Sequence, residues 1–124
     1  MPWLWRQVSN PSAGDVVVEL YGTVDRVFAL FGFLISHNAA SAKRYRFDLF
    51  RTGTNETRSI FTVTVPASST VYVESDEPLI FGIGAFVSGY EEHLKIVAVD
   101  GGEPSLTVGI KVRGDWYLVT DMYG

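Results

Sequence analysis

The sequence predicts an all-β protein, a single antiparallel β-sandwich of about eight to ten short strands, jelly-roll-like, with negligible helix. No window shows sustained helical periodicity, whereas strand-like runs recur at short intervals between turn residues. The stretch 61–80 shows this best: an alternating strand ends at Pro66, a small Ala-Ser-Ser bridge follows, and a second strand leads through an acidic turn to a third apolar run. A jelly roll or another Greek-key sandwich is the natural closure for such strands.

The elements of the first half follow from local pattern. Residues 3–8 form an arm or a first strand, and residues 16–21 form a strand after the dense turn signal at 10–15. Residues 26–36 are nearly all apolar, as in a central strand buried on both faces, and Gly32 within them predicts a bulge or a close backbone contact. The strand 43–51 alternates between a face with Tyr45, Phe47 and Leu49 and a face with Arg44, Arg46 and Asp48.

The second half continues the meander. A hairpin-type loop at 52–56 leads to strands at 59–65, 70–74 and 78–81. Residues 82–92 form a long, partly apolar loop that is a candidate contact surface. Strands at 93–99, 106–112 and 116–120 complete the set, with a tight turn at 100–104.

Size and composition favour one domain that associates. With 124 residues, the chain has room for a single core, so we expect an N-terminal arm or edge strand at 1–9 and one β-sandwich domain at 10–124. Hydrophobic residues make up 47% and charged residues 19%, which is apolar for a chain with so much surface to cover. The 8 Phe, 6 Tyr and 3 Trp strengthen the expectation of a covered surface, since aromatics are enriched in interfaces.

Charge and residue usage exclude several classes of partner. The net charge of −4 argues against nucleic acid, and the basic cluster 43–46 lies on an alternating strand, where a solvated or interface face is expected. The absence of cysteine excludes disulfides and cysteine-ligated zinc. The longest apolar run, 27–35, is too short to span a bilayer, and the N-terminus lacks a signal layout, so no membrane partner is expected.

No catalytic motif is present, so the sequence predicts that the protein is not an enzyme. His37, in a predicted loop, and His93, at a predicted strand start, lie in no recognisable motif, and there is no Gly-x-Ser-x-Gly elbow. We expect both histidines to be surface or turn residues.

Acidic pairs do not alter this expectation. Adjacent carboxylates at 76–77 and 91–92 point to opposite faces of a strand unless a turn intervenes, and solvation explains them in loops. Asp100 and Glu103 flank two glycines, but without the alternating ligands of a calcium loop an ordinary turn is favoured. We therefore expect no catalytic residue, no cofactor and no metal.

Seven segments together give the chain a recognisable style, namely 16–20, 28–40, 45–53, 65–71, 78–80, 94–98 and 107–112. In this style the sequence resembles small β-sandwich virion proteins of tailed bacteriophages, which include capsid decoration or cement proteins and related structural proteins. The resemblance is one of strand order and hydroxyl-rich turns, and it carries over no functional residue. It implies a virion component with a jelly-roll-like fold that acts as a trimer or other small ring.

Aromatic and arginine side chains are the candidate contacts, because such anchors dominate interface energetics. Three groups stand out, at the N-terminus, in and beside the long loop, and at the C-terminus: Trp3, Trp5 and Arg6; Phe81, Phe86 and Tyr90; Trp116, Tyr117 and Tyr123. Alternation places Trp3 and Trp5 on one face, where they either meet a partner or plug the end of their own sandwich.

The functional expectation is a capsid decoration or cement protein that binds and stabilises the shell as a small oligomer, with a trimer favoured. Its partner would be the major capsid protein or another virion protein, and it would reside on the capsid surface after assembly in the host cytoplasm. The alternatives are a carbohydrate- or receptor-binding module of a tail or fibre, and a head–tail or tail accessory protein, because one fold serves many functions.

Overall fold

The computed structural model describes residues 2–85 and 87–124. These residues form ten strands: β1 (Trp3–Val8), β2 (Asp15–Gly22), β3 (Phe28–His37), β4 (Lys43–Arg51), β5 (Glu56–Val65), β6 (Thr70–Glu74), β7 (Ile80–Ile83), β8 (Glu92–Ala98), β9 (Leu106–Gly114) and β10 (Trp116–Leu118). No helix occurs in this part of the chain, so none is present that is long and apolar enough to cross a membrane.

Two antiparallel sheets pack face to face. Sheet A has the order β1-β9-β3-β6, with β7 also pairing to β3, and sheet B has the order β10-β2-β8-β4-β5. The first four strands alternate between the sheets, and the later strands return beside them, with β8 between β2 and β4 and β9 between β1 and β3. This winding is that of a jelly roll, which confirms the predicted fold class.

The core lies between the sheets and is built from alternate residues of each strand. Tyr45, Phe47 and Leu49 are buried as their alternation predicts. Phe33 of sheet A and Phe61 of β5 pack against Phe47, with ring centroids 5.0 and 4.6 Å from it. Each fully buried aliphatic or aromatic side chain stabilises the fold by about 1.5–3 kcal/mol, so this interior is the main source of stability.

The central strand, β3, is buried as predicted, and its pairing with β9 accounts for Gly32. β3 is buried along nearly its whole length between β9 and the pair β6 and β7. Its register against β9 shifts between Leu30 and Gly32, which confirms the predicted bulge. The strand begins at Phe28 rather than residue 26, because Asp25 has a φ of 60° and the chain turns between Thr23 and Arg26.

Two polar side chains differ from expectation. His37, predicted to lie in a loop, ends β3 and is buried; the Ala39 N–H donates to its Nδ1 at 3.0 Å, so its Nε2–H donates to the Val65 carbonyl at 3.1 Å. Asp48 lies on the predicted outer face, yet it is buried because Arg46 and Ser59 both donate to its carboxylate. Both buried groups are satisfied by hydrogen bonds.

Several boundaries move by a few residues. β5 begins at Glu56 rather than residue 59, and β10 ends at Leu118 rather than residue 120. β7 spans 80–83 rather than 78–81, because its ladder aligns Ile80 with Leu30 and Ile83 with Phe28. The segment 1–9 contains β1, which pairs with β9 over six residues and so belongs to sheet A.

The strand order places three loops together at one end of the sandwich, which we call the mouth. They are the β2–β3 loop (23–27), the β4–β5 hairpin (52–55) and the described residues of the β7–β8 loop (84–85 and 87–91). Residues 75–79, between β6 and β7, instead interrupt the edge of sheet A beside Leu30 and Phe31. At the opposite end, Glu103 is fully buried and accepts a 2.6 Å hydrogen bond from the Tyr45 hydroxyl. Burial, together with this bond, raises the pKa of Tyr45 well above its ordinary value.

Candidate binding surfaces

The predicted contact residues fall into three regions of the surface. Trp3, Trp5 and Tyr123 lie on or beside sheet A, Tyr117 lies at the edge of sheet B, and Phe81 and Tyr90 lie at the mouth. Phe81, Tyr123, Tyr117 and Tyr90 are the most exposed, at 75%, 61%, 54% and 47%. Phe86 lies outside the described residues.

Two of the predicted contacts make internal contacts instead of projecting freely. Arg6 donates a 2.6 Å hydrogen bond from Nη1 to the carbonyl of Val17 in the opposite sheet. Trp116 is partly buried and packs against the core. Both side chains therefore tie an edge of the sandwich together.

Residues 116–124 form a strap across one side of the sandwich. The strap begins as β10 on the edge of sheet B, where the Val119 N–H donates to the Glu19 carbonyl at 3.0 Å. It ends on the edge of sheet A, where Trp5 and Tyr123 exchange two backbone hydrogen bonds of 2.6 and 3.0 Å. The strap therefore covers the otherwise unpaired edge of β1 at Trp5, as edge strands generally require.

The strap carries an apolar outer surface. Tyr117, Leu118 and Val119 are three consecutive side chains with exposures of 54%, 41% and 51%. Tyr117 also packs on Tyr21 of β2, its direct cross-strand partner, at a centroid distance of 5.2 Å. Apolar surface thus continues from the strap onto the outer face of sheet B.

A second row of rings lies on the outer face of sheet A. Trp3 stacks against Trp5 at 5.5 Å and against Tyr72 of β6 at 5.8 Å, with the planes nearly parallel. Glycines make room for the indoles, since a Cβ on Gly109 would lie 2.3 Å from Trp5 and one on Gly32 would lie 3.3 Å from Trp3. The strap joins this row at Trp5. We call the two ring groups together with Tyr123 of the strap that connects them the aromatic band: Tyr21, Tyr117, Tyr123, Trp5, Trp3 and Tyr72.

Sheet B carries a row that sequence reasoning missed. Tyr117, Tyr21, His93 and Phe50 are successive cross-strand partners on four neighbouring strands, and the Tyr21 ring stacks on His93 at 4.8 Å. The Glu19 carboxylate lies 2.9 Å from His93 Nδ1. The four residues are far apart in sequence, so only the strand register could have revealed the row.

The mouth holds a cleft of about 440 Å³ lined by Val27, Arg51, Gly82, Gly84, Ala85, Val87, Tyr90 and Glu92. Arg51 Nη2 and Glu92 Oε2 lie 3.6 Å apart at its floor. A neighbouring groove of about 320 Å³ contains Phe81, with Arg113 stacked over the Phe31 ring at 5.0 Å. Apart from its floor, the cleft is apolar.

The carboxylate of Asp100, in the tight turn after β8, has partners within the fold. Asp100 accepts from Arg44 Nη2 at 2.7 Å and from the Arg44 N–H at 2.9 Å, and these bonds hold the pKa of Asp100 below its usual range. Across residues 2–85 and 87–124, no group of three or more acidic or histidine side chains is placed to hold a metal ion.

Comparison with known proteins shows the fold alone. No protein-family model matches the sequence, and no curated protein is significantly similar to it. The chain is similar to the crystal structure of PirA, with a TM-score of 0.57 and 9% identity over 86% of this chain and 93% of that one. It also aligns with the empty capsid of Triatoma virus at a TM-score of 0.43 and 12% identity, over 94% of this chain and 87% of that one. The likeness to PirA shows a shared fold, and the likeness to the capsid supports no conclusion.

Proposed function

We propose that the protein is a non-enzymatic virion component, a decoration or cement protein that binds the outside of a viral capsid and stabilises it. The strap is the observation that carries this proposal. Three consecutive exposed apolar side chains are unfavourable on the surface of a lone domain unless a partner covers them. Tyr117, Leu118 and Val119 form such a run along the strap, and the aromatic band lies on both sheets beside it.

The opposite edge of sheet B supports the choice of the strap as the docking side. β5 is also an edge strand, and Ile60 on it is 36% exposed. However, the register of β5 shifts at this point, and threonines and charged residues occupy much of the rest of the strand. Bulges and charges are the usual protection of an edge against strand addition, so β5 is built to remain free.

The energetics suit a protein that acts in many copies. Apolar area that is removed from water contributes about 25 cal/mol per Å², so a footprint of a few strap residues gives modest affinity per copy. Multivalent attachment multiplies this effect without any new contact. Many small adhesive units would thereby hold neighbouring capsid subunits together against internal pressure.

The proposal includes self-association into a small ring, with a trimer favoured. A cyclic trimer needs two different patches on each subunit, because its interface is heterologous. The aromatic band has two such halves, one with Trp3 and Tyr72 on sheet A and one with Tyr21 on sheet B. The sheet A half of the aromatic band on each subunit would contact the sheet B half on its neighbour. The strap, which lies between the two halves, would contact the shell.

Co-sedimentation with emptied shells of the virus that carries the gene tests the attachment. We expect the unmodified chain to pellet with the shells and the double variant Tyr117→Lys, Leu118→Lys to remain in the supernatant. Ile60→Lys is the control, since it places a lysine on the opposite edge of sheet B and should leave binding unchanged.

Two results would contradict the proposal. One is failure of the unmodified chain to bind shells, or its recovery only with tail fractions. The other is equal binding by the strap variant and the control. Thermal unfolding of all three chains shows whether each variant is folded.

A further inference from the structure

The mouth cleft is built differently from the strap, with apolar walls and a charged floor. Val27, Ala85 and Val87 form apolar walls, Tyr90 supplies an aromatic ring that is 47% exposed, and Arg51 and Glu92 lie at the floor. Its volume of about 440 Å³ is within the range of small-molecule sites. The cleft lies at the end of the sandwich, whereas the strap runs along its side.

Strand register creates the charged floor. Arg51 on β4 has Glu56 of β5 and Glu92 of β8 as its two cross-strand partners, so a Glu-Arg-Glu row crosses three strands. Arg58 joins these residues around a smaller cavity of about 80 Å³ that shares Arg51 and Glu92 with the cleft. The floor of the cleft itself therefore has one guanidinium group and one carboxylate, Arg51 and Glu92, with a formal charge of zero, and Glu56 and Arg58 line the smaller cavity beside it.

The Arg51 guanidinium has donors to spare. Its separation of 3.6 Å from Glu92 exceeds hydrogen-bonding distance, and its side chain is 44% exposed. Within the described residues, the Arg51 side chain makes no closer polar contact with any acidic group. Its N–H groups can therefore donate to a ligand while Glu92, 13% exposed, accepts beside them.

The Tyr90 side of the cleft is held in place by hydrogen bonds that need no ligand. The Thr52 N–H donates to the Glu91 carbonyl at 3.1 Å, and the Thr52 hydroxyl donates to the Gly89 carbonyl at 3.2 Å. The Tyr90 ring lies against Gly53, where a Cβ would come within 2.7 Å of it. The β7–β8 loop is thus fastened to the β4–β5 hairpin, and a site ordered in advance loses less free energy on binding.

The chemistry of the floor excludes several ligand classes. A phosphate favours a net positive site, whereas the charges of Arg51 and Glu92 sum to zero. A divalent cation needs several oxygen ligands, and no group of three acidic or histidine residues lies together in the described chain. A purely apolar ligand would strip water from both charges without replacing their hydrogen bonds.

A saccharide meets every feature of the cleft. Its hydroxyl groups donate and accept, so adjacent hydroxyls can pair with Arg51 and Glu92 together. Its C–H face is weakly positive and suits the negative face of the Tyr90 ring. We infer that the mouth cleft binds a sugar unit, with Tyr90 as the stacking ring and Arg51 and Glu92 as the hydrogen-bonding pair. This inference does not depend on attachment to a shell.

The test is a titration of the full chain with methyl glycosides of glucose, galactose, mannose and N-acetylglucosamine, followed by amide NMR. For at least one sugar we expect saturable shifts confined to residues around the cleft, with a Kd on the order of 1 mM. Tyr90→Ala and Arg51→Ala should each weaken binding about tenfold or more. Arg51→Lys keeps the charge but not the planar pair of donors, and it should also weaken binding.

The matched control is Ile60→Ala, which removes an exposed apolar side chain from β5, outside both the cleft and the aromatic band. It should leave sugar binding unchanged, and amide spectra show whether each variant is folded. The inference is overturned if no sugar gives saturable shifts, if the shifts centre on Trp3 and Tyr72, or if inorganic phosphate binds the cleft more tightly than every sugar. Shell binding is read with strap variants, so failure of one proposal is distinguishable from failure of the other.

Discussion

Gly32 lies where the pairing of β3 and β6 leaves no room for a side chain. A Cβ there would lie 2.8 Å from the backbone oxygen of Val73 and 3.3 Å from Trp3. Backbone cannot move aside as a flexible side chain can, so Gly32→Ala must shift the pairing of the two strands. We expect it to lower the free energy of unfolding by about 1–3 kcal/mol, measured by urea denaturation.

Thr107→Ala is the control for this substitution, since it places the same alanine on the outer face of the neighbouring strand β9. Its loss of stability should be smaller than that of Gly32→Ala. Equal losses would show that close approach of the backbone at Gly32 is not what requires the glycine.

The ion pair of Asp100 with Arg44 makes the stability of the fold depend on pH, and Arg44 sets the direction of this dependence. The hydrogen bonds from Arg44 lower the pKa of Asp100 below its value in the unfolded chain. The contribution of this ion pair to the free energy of unfolding is therefore complete above about pH 4, and it is lost as pH falls through the lowered pKa of Asp100. Between neutral and strongly acidic pH, we expect the thermal unfolding midpoint of Asp100→Asn to fall less than that of the unmodified chain.

Arg44→Gln should reproduce this flatter profile, because it removes the other member of the pair. Scanning calorimetry at a series of pH values measures both variants. Profiles that run parallel to that of the unmodified chain would contradict the assignment.

Residue by residue, alternation predicts the core better than it predicts polar partners. It placed Tyr45, Phe47 and Leu49 inside correctly, since period-two burial is a local property. It could not show that the Tyr45 hydroxyl meets Glu103, because 58 residues separate the two along the chain. His37 was misplaced for the same reason, as its partner Val65 lies on another strand.

At the scale of elements, the end of the strap closes the edge of sheet A. Deleting residues 121–124 would remove the two hydrogen bonds between Trp5 and Tyr123. We expect the Trp5 amide to lose its protection in hydrogen exchange, and the free energy of unfolding to fall by about 1–3 kcal/mol.

The Arg6 amide is the internal control for this deletion. Backbone N–H groups alternate in direction along a strand, so the Arg6 N–H points toward β9 whereas the Trp5 N–H points toward the strap. Its protection should change only as much as global stability changes. Unchanged protection at Trp5 would contradict the role of the strap as an edge cover.

The sequence predicted the existence of the strands more accurately than their ends. Eight to ten strands were predicted from turn residues and apolar runs, which are local signals, and the described residues form ten. The displacement of β7 to 80–83 depends on its ladder with β3, fifty residues earlier in the chain. The edge-covering role of residues 119–124 had no signal in the sequence, because it arises from a contact between the two chain ends.

At the scale of the whole molecule, the proposal predicts a small ring in solution. Light scattering of the purified chain should give three times the 13.7 kDa of one subunit. The paired substitutions Trp3→Ser and Tyr72→Ser remove the sheet A half of the aromatic band and should reduce this mass. A mass of 13.7 kDa for the unmodified chain at all concentrations would contradict the ring.

The jelly-roll class could be predicted because many short alternating strands have few ways to close. The positions of the candidate binding surfaces could not be predicted from the sequence. The row from Tyr117 to Phe50 and the Arg51–Glu92 pair at the floor of the mouth cleft both arise from register across neighbouring strands. Of the predicted contacts, Phe81, Tyr90, Tyr117 and Tyr123 proved exposed, whereas Arg6 and Trp116 turned toward the sandwich.

An electron cryomicroscopy reconstruction of emptied shells saturated with the protein tests the central claim most directly. The strap side, with Tyr117, Leu118 and Val119, should face the shell at the junctions of capsid subunits, and the mouth should point away from it. Shells without added density, or density in which the mouth faces the shell and the strap faces solvent, would contradict the account.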